Sequence, residues 1–150
     1  MKIKRILFGV VFSALLIVLS TTFLKAQDII ITKNELPKTA QNFIDKYFGS
    51  YTIGHIIKDN DVFSVDYEVN FTNGMEIKFD SNGNWEEVDG EHQAIQTGFI
   101  SEKIIDYVNK HFPNTQITKI EKKTFRQEVK ISNGLELIFN SSGNFIRIDD

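Results

Sequence analysis

The stretch T-N-G-M-E-I-K-F-D-S-N-G-N-W-E-E-V-D at 72–89 decides how this chain is read. It returns sixty residues later as S-N-G-L-E-L-I-F-N-S-S-G-N-F-I-R-I-D at 132–149. Eight of the eighteen positions are identical, among them Asn73/Asn133, Gly74/Gly134, Phe79/Phe139 and Gly83/Gly143. A self-match of this length marks one structural unit used twice. It extends backward, because N-F-I-D-K-Y-F at 42–48 matches D-Y-V-N-K-H-F at 106–112, now offset by sixty-four. The four-residue difference falls near Lys58 to Val62, where a loop absorbs a deletion at little cost.

Within this stretch Met75, Ile77 and Phe79 alternate with Glu76 and Lys78. Before it Phe63, Val65, Tyr67, Val69 and Phe71 alternate with Ser64, Asp66, Glu68 and Asn70. Each run predicts a strand with one dry and one wet face. The loop between them follows from the pairing. A two-residue loop at Asn73-Gly74 would set Phe71 opposite Glu76 and Val69 opposite Lys78, mixing apolar with charged on one face. A three-residue loop, Thr72-Asn73-Gly74, pairs Phe71 with Met75, Val69 with Ile77 and Tyr67 with Phe79. Gly74 then supplies the left-handed last residue of the turn. The following turn, D-S-N-G-N-W, admits two registers, one placing Trp85 on the dry face and the other on the wet face.

Further out, Leu36, Ala40, Phe43, Ile44, Tyr47 and Phe48 form one apolar helical stripe, with Pro37 in the first turn and Gly49 at the end. Ile104, Ile105, Val108 and Phe112 form a second, opened by Ser101 and stopped by Pro113. Strand-like stretches follow each helix at 52–58 and 116–123. The pattern predicts an α+β fold of two tandem helix-plus-four-stranded antiparallel sheet units, spanning 27–90 and 91–150 and packed into one compact body. Packing them together matters, because a unit of about sixty residues buries too little surface to be robust alone. The segment Gly90 to Gly98 reads as the linker.

Residues 1–26 read as a signal peptide: Lys2, Lys4 and Arg5, an apolar run from Ile6 to Ser20, then Ala26 before the first acid, Asp28. The alternative is an uncleaved anchor helix, since the run to Leu24 is nearly long enough to span a bilayer. Cleavage predicts a periplasmic or secreted protein with no stable membrane insertion. There are no cysteines, which excludes a thiol-linked lipid anchor, disulfides and a cysteine nucleophile. Four of the 17 basic residues precede Gln27, so 13 face 20 acids in the mature chain, a net charge of −7. From Gln27 to Gly90 there are 12 acids and 5 bases; from Glu91 to Asp150, 8 of each. Nothing here supplies the basic footprint of a nucleic-acid binder.

The pattern L-P-x-x-A-x-x-F-I-x-K-Y-F, then Y-E-V-x-F-T-N-G-M-E-I-x-F-D-S-N-G-N-W, resembles the PepSY-like domains of exported bacterial proteins, described as β-lactamase-inhibitor-like. The resemblance covers nearly all of the mature chain. It implies an envelope or secreted location and a binding role, such as inhibition of a hydrolase, and it brings no catalytic motif. The residues themselves agree. His55, His92 and His111 are far apart, and no G-x-S-x-G, H-E-x-x-H or phosphate loop occurs. A non-enzymatic chain with no cofactor and no metal is expected.

Asp80-Ser-Asn-Gly-Asn superficially matches a calcium loop. Its glycine is at the fourth position rather than the sixth, and Asn140 replaces Asp80 in the second copy. The acids Glu86, Glu87, Asp89 and Glu91, ending at His92, support the alternative reading of a small-molecule or cation-binding module. The leading expectation is a protein or peptide partner held on the wet sheet face through Asp66, Glu68, Glu76 and Lys78, with Trp85 as an aromatic anchor.

Overall fold

The computed structural model describes residues 28–60 and 64–149. The expected signal segment lies outside the described residues, as does Phe63. The elements run β1 (Ile29–Ile31), a 3-10 turn (Lys33–Glu35), α1 (Lys38–Phe48), β2 (Ile53–Asn60), β3 (Val65–Phe71), β4 (Glu76–Phe79) and β5 (Trp85–Asp89). They continue with α2 (Glu102–His111), β6 (Ile117–Lys122), β7 (Arg126–Ile131), β8 (Glu136–Asn140) and β9 (Phe145–Asp149). The helices lie where the sequence places them, but α1 starts at Lys38, leaving Leu36 and Pro37 just before it, and Phe112 falls at the C-cap of α2. Pro37 and Ser101 stand at the N-caps, and Gly49 follows Phe48. The Ser101 hydroxyl makes no capping bond.

The expectation of two helix-plus-four-strand units is corrected. All nine strands form one continuous antiparallel sheet in chain order, mostly β, with two short helices. Two features produce this. Ile29–Ile31, a β-branched triplet, adds an edge strand on β2, pairing Ile30 with Ile57. And β5 pairs directly with β6 through Glu87/Glu121, Val88/Ile120 and Asp89/Lys119. Two separate sheets would have left open edges at β5 and β6. Joining them removes both and gives one larger core. The join continues past the strands, with the Gly90 amide donating to Thr118 O at 2.8 Å and Ile95 to Ile117 O at 3.0 Å. Gly90 has no room for a side chain: a Cβ there would lie 2.3 Å from Gln93 O.

The registers align into rungs that cross the sheet. Ile31, Ile56, Val69, Ile77, Val88, Ile120, Val129, Leu137 and Ile148 are cross-strand neighbours in succession over all nine strands. Against this aliphatic rung pack Ala40, Ile44 and Phe48 of α1 and Ile104 and Val108 of α2, all in one buried cluster. The β3–β4 hairpin has the expected three-residue loop. The Phe71 amide donates to Met75 O at 2.8 Å, Val69 faces Ile77, Tyr67 faces Phe79, and Gly74 has φ +89°. The β7–β8 hairpin repeats it, with Gly134 at φ +93°. The four-residue offset is absorbed in the β2–β3 hairpin, which extends to the pair Asn60/Val65 while β6–β7 stops at Lys122/Gln127.

The open register of the β4–β5 hairpin is settled by a bulge. Lys78 faces Glu87 while Phe79 faces Trp85, so Glu86 is the extra residue. The same slip in β8–β9 makes Ile146 the extra residue, with Phe139 facing Phe145.

Candidate functional site

The face of the sheet turned away from the helices is polar, and its rungs follow from the same registers. One runs Ile30, Ile57, Glu68, Lys78, Glu87, Glu121, Glu128, Ile138, Arg147. The next runs His55, Asn70, Glu76, Asp89, Lys119, Lys130, Glu136, Asp149. Alternation along each strand places these side chains opposite the aliphatic core. Ile30, Ile57 and Ile138 are the apolar exceptions, the last of them buried between Glu128 and Arg147 on its rung.

At the centre sits Glu87, only 8 % exposed. Its Oε1 lies 3.4 Å from Lys78 Nζ on β4 and 3.0 Å from Lys119 Nζ on β6. Lys78 also meets Glu76 at 3.0 Å, and Lys119 meets Asp89 at 3.1 Å. These five groups form an alternating-charge ladder over the join between β5 and β6. Partial burial works against the Lys119 ammonium, but Glu87 and Asp89 outweigh it and raise its pKa. Glu76 and Glu87 do the same for Lys78. Around the ladder Asn70 donates to Glu68 at 2.6 Å, and Arg126 and Arg147 pair with Glu128 and Asp149.

Charge is divided across this face. The strands β2–β5 present Asp59, Asp66, Glu68, Glu76, Glu87 and Asp89, with Lys78 among them. Strands β6–β9 interleave Lys119, Arg126, Lys130 and Arg147 with Glu121, Glu128, Glu136 and Asp149. At the acidic end Asp28, Asp59, Asp66, Glu68 and Glu86 border a shallow depression of about 240 Å³ with Ile57, Tyr67 and Lys78. Desolvation, helped by Asp66, Asp80 and Glu121, pushes the Glu86 carboxyl up.

Of the residues singled out from sequence, Asp66, Glu68, Glu76 and Lys78 come together on this face. Trp85 does not. The bulge turns it to the helix side, where its ring lies 5.0 Å from Phe99 and 6.2 Å from Phe43, under the Lys122 ammonium at 3.5 Å. Burial in this contact lowers the Lys122 pKa against the pull of Asp80 and Glu86. Sequence reasoning missed Glu87 and Lys119 as members of the face, and Phe99 as an aromatic partner. Opposite charges at Glu87, Asp89 and Lys119 are the signal that could have joined β5 to β6.

The other candidates dissolve on inspection. Asp80 Oδ1 accepts from the amides of Asn82 and Asn84, both at 2.8 Å, and Oδ2 from Asn84 Nδ2 at 2.9 Å. The loop is thus a turn whose carboxylate is already engaged. Burial opposes ionisation there, but those bonds prevail and lower the Asp80 pKa. Asn140 makes the same turn with Ser142 and Asn144. The acidic stretch at 86–91 is split between β5 and the turn after it, with Asp89 Oδ1 accepting from the Glu91 amide at 2.7 Å. Among the described residues no group of three or more His, Cys, Asp or Glu is placed to hold a metal ion, and no helix is long and apolar enough to cross a membrane.

The family model described as "Putative beta-lactamase-inhibitor-like, PepSY-like" matches residues 65–147. No curated protein matches the chain. Among solved structures, a "putative calcium-regulated periplasmic protein" of Bacteroides thetaiotaomicron is 37% identical, with a TM-score of 0.79 over 82% of this chain and 97% of its own. A "putative periplasmic protein" of Bacteroides vulgatus is 36% identical, TM-score 0.78, over 83% and 98% of the two chains. A second Bacteroides vulgatus periplasmic protein, "of unknown function", is 29% identical, TM-score 0.77, over 83% and 100%.

Proposed function

The chain belongs to the PepSY-like, β-lactamase-inhibitor-like family and is a periplasmic or secreted protein, and we propose that it is a non-enzymatic binding protein whose polar sheet face takes a basic protein partner. The observation that carries this reading is the segregation of charge on that face. Six carboxylates on β2–β5 stand with one lysine, while the β6–β9 half is mixed. A broad, regular, polar surface suits a protein better than a small ligand. Its acidic half would steer a basic partner and fix its orientation. The family description points to a hydrolase as the class of partner to examine first. The calcium named for the Bacteroides thetaiotaomicron relative has no matching ligand cluster among the described residues.

The test is capture of periplasmic proteins by the immobilised chain, compared with the double reversal Asp66→Lys/Glu68→Lys in low and high salt. Expected are loss of the captured basic protein in the variant, a slower association as salt rises, and an unchanged circular dichroism spectrum. Equal capture by both proteins, insensitive to salt, refutes the assignment of this face. A saturable shift in melting temperature on titration with calcium, absent with magnesium, would replace it with a cation-binding role.

A further inference from the structure

The sheet ends at β9, which among the described residues pairs only with β8. The internal repeat shows what a strand of this kind does when its outer edge is filled. β9 repeats β5 at an offset of sixty, with the same bulge: Val88 faces Ile77 in the first copy and Ile148 faces Leu137 in the second. In β5 the outer edge is taken by β6, and Val88 is fully buried against Ile120. Two residues further along, in the same register, the Gly90 amide donates to Thr118 O at 2.8 Å. Backbone groups alternate in direction along an antiparallel strand, so Val88, like Gly90, turns its amide and carbonyl toward β6. Ile148, in the matching place, turns its amide and carbonyl to the open side of β9.

The side chains match this open edge. Ile148 is 42 % exposed, although Leu137 and Val129 beside it on the aliphatic rung are fully buried. Ile146, at the bulge of the same strand, is also exposed. Arg147 and Asp149 flank Ile148 on the polar side, paired with each other at 2.7 Å and each half exposed. Charges on an edge strand deter pairing with an arbitrary strand. Arg147-Ile148-Asp149 is, however, complementary to itself when reversed. In an antiparallel pair of two such strands with the two-fold axis at Ile148, Arg147 of each copy stands opposite Asp149 of the other. Moving the axis by one residue either way sets Arg147 against Arg147 or Asp149 against Asp149, which is unfavourable.

We propose that β9 is the docking edge for a second copy of this chain, the two β9 strands pairing antiparallel about Ile148. The register is consistent at three levels. The outward amide and carbonyl of Ile148 meet those of its mate, giving two reciprocal hydrogen bonds. The two Ile148 side chains cover one another and carry the aliphatic rung from one copy into the next. The Arg147–Asp149 pair within each chain is exchanged for two pairs between chains. Such an interface is isologous and closes at two copies. Addition of β1 to β9 by simple repetition of the molecule would not close: both strands run in the same direction, since nine strands alternate in order. The two-fold axis is perpendicular to the sheet, so both polar faces lie on one side, with the mixed halves adjacent and the acidic halves at the far ends. A five-residue strand contributes little area, so the dimer is weak and depends on concentration. This inference does not rest on the basic partner proposed for the polar face.

The test is sedimentation equilibrium of the chain as isolated from the periplasm, from micromolar to millimolar concentration, with amide hydrogen exchange at both ends of that range. A monomer–dimer equilibrium is expected, with exchange of the Ile148 amide slowed at high concentration. Arg147→Asp and Asp149→Arg each set like charges opposite one another twice and should weaken self-association by roughly tenfold. Both side chains are half exposed, so circular dichroism should show the fold unchanged. An equimolar mixture of the two variants restores opposite charges across the axis and should recover the dimer. Asp66→Lys/Glu68→Lys, on the polar face, should leave it unaffected. A chain that stays monomeric throughout overturns the proposal. So does a dimer indifferent to Arg147→Asp, or one that mixing the two variants fails to recover, since either would place the contact elsewhere.

Discussion

Glu87 is where the two halves of the sheet are held electrostatically, and removing its charge measures how strongly. Glu87→Gln keeps the shape and one acceptor oxygen but leaves Lys78 and Lys119 facing each other without the carboxylate between them. At 3.4 and 3.0 Å each attraction is worth about 5 kcal/mol gross at an effective dielectric near 20, before the cost of dehydrating the partners. The lysine side chains keep 44 % and 29 % of their surface in water. The net value therefore lies between a surface pair, at most about 1 kcal/mol, and a fully buried one, about 3–5 kcal/mol. The expected loss is about 1–2 kcal/mol, or a melting point lower by about 3–8 °C for a chain of this size. Glu76→Gln is the control, since Glu76 is more exposed and among the described ion pairs meets Lys78 alone. Its loss should stay under about 1 kcal/mol and vanish in molar salt, whereas that of Glu87→Gln should persist. Urea unfolding in low and high salt reads both. Equal losses for the two variants, or full screening of the Glu87 effect, would refute the view that this carboxylate ties β4, β5 and β6 together.

The hairpin geometry makes a second prediction. Gly134→Ala should cost about 1–2 kcal/mol by thermal unfolding, from its φ of +93° alone, because a Cβ there meets nothing within 4 Å. Gly74→Val should cost more than Asn73→Ala; equality would argue against the three-residue turn. A third concerns pH. The folded pKa of Glu86 is raised, so the folded state takes up a proton there more readily than the unfolded chain, and ionisation above that pKa works against folding. Glu86→Gln should accordingly raise stability at pH 7, by a small amount given its exposure. The gain should disappear near pH 3, where the wild-type carboxyl is protonated in both states; a gain independent of pH would point to a cause other than charge.

How far the sequence could be read depended on whether its signals were local. The β3–β4 register was legible because Asn73-Gly74 restricts the turn and only one pairing sets Phe71 beside Met75 and Tyr67 beside Phe79. Those same pairings put Asp66, Glu68, Glu76 and Lys78 on one face. The side of Trp85 was not legible, because a bulge inserts a residue without changing composition, and Glu86 looks like any strand acid until its neighbour is seen to slip. The single sheet was hidden for a different reason. Its joining pairs, Val88/Ile120 and Asp89/Lys119, are about thirty residues apart, and each residue fits a strand in either half. Ile29–Ile31 is three residues long, too short for periodicity to show which face it uses.

The continuity of the sheet changes what its polar face can do. Two separate sheets could rotate against one another, and the acidic half could then be presented at a variable angle to the mixed half. The two halves share backbone hydrogen bonds within the sheet, with Val88 packed on Ile120 on its helix side and Glu87 bridging Lys78 and Lys119 on its polar side. The carboxylates of β2–β5 are therefore held at fixed spacing relative to the lysines and arginines of β6–β9. Fixed spacing favours recognition, because a partner whose charges match loses less freedom on docking than one that must also order the surface it meets. It also separates the two sides of the molecule. The bulges at Glu86 and Ile146 turn Trp85 and Phe145 to the helix side, so the aromatic clusters are removed from the charged face by the same one-residue slip. A polar surface and two aromatic clusters thus stand back to back on one sheet, and substitutions in the aromatic clusters should leave any binding at the polar face intact.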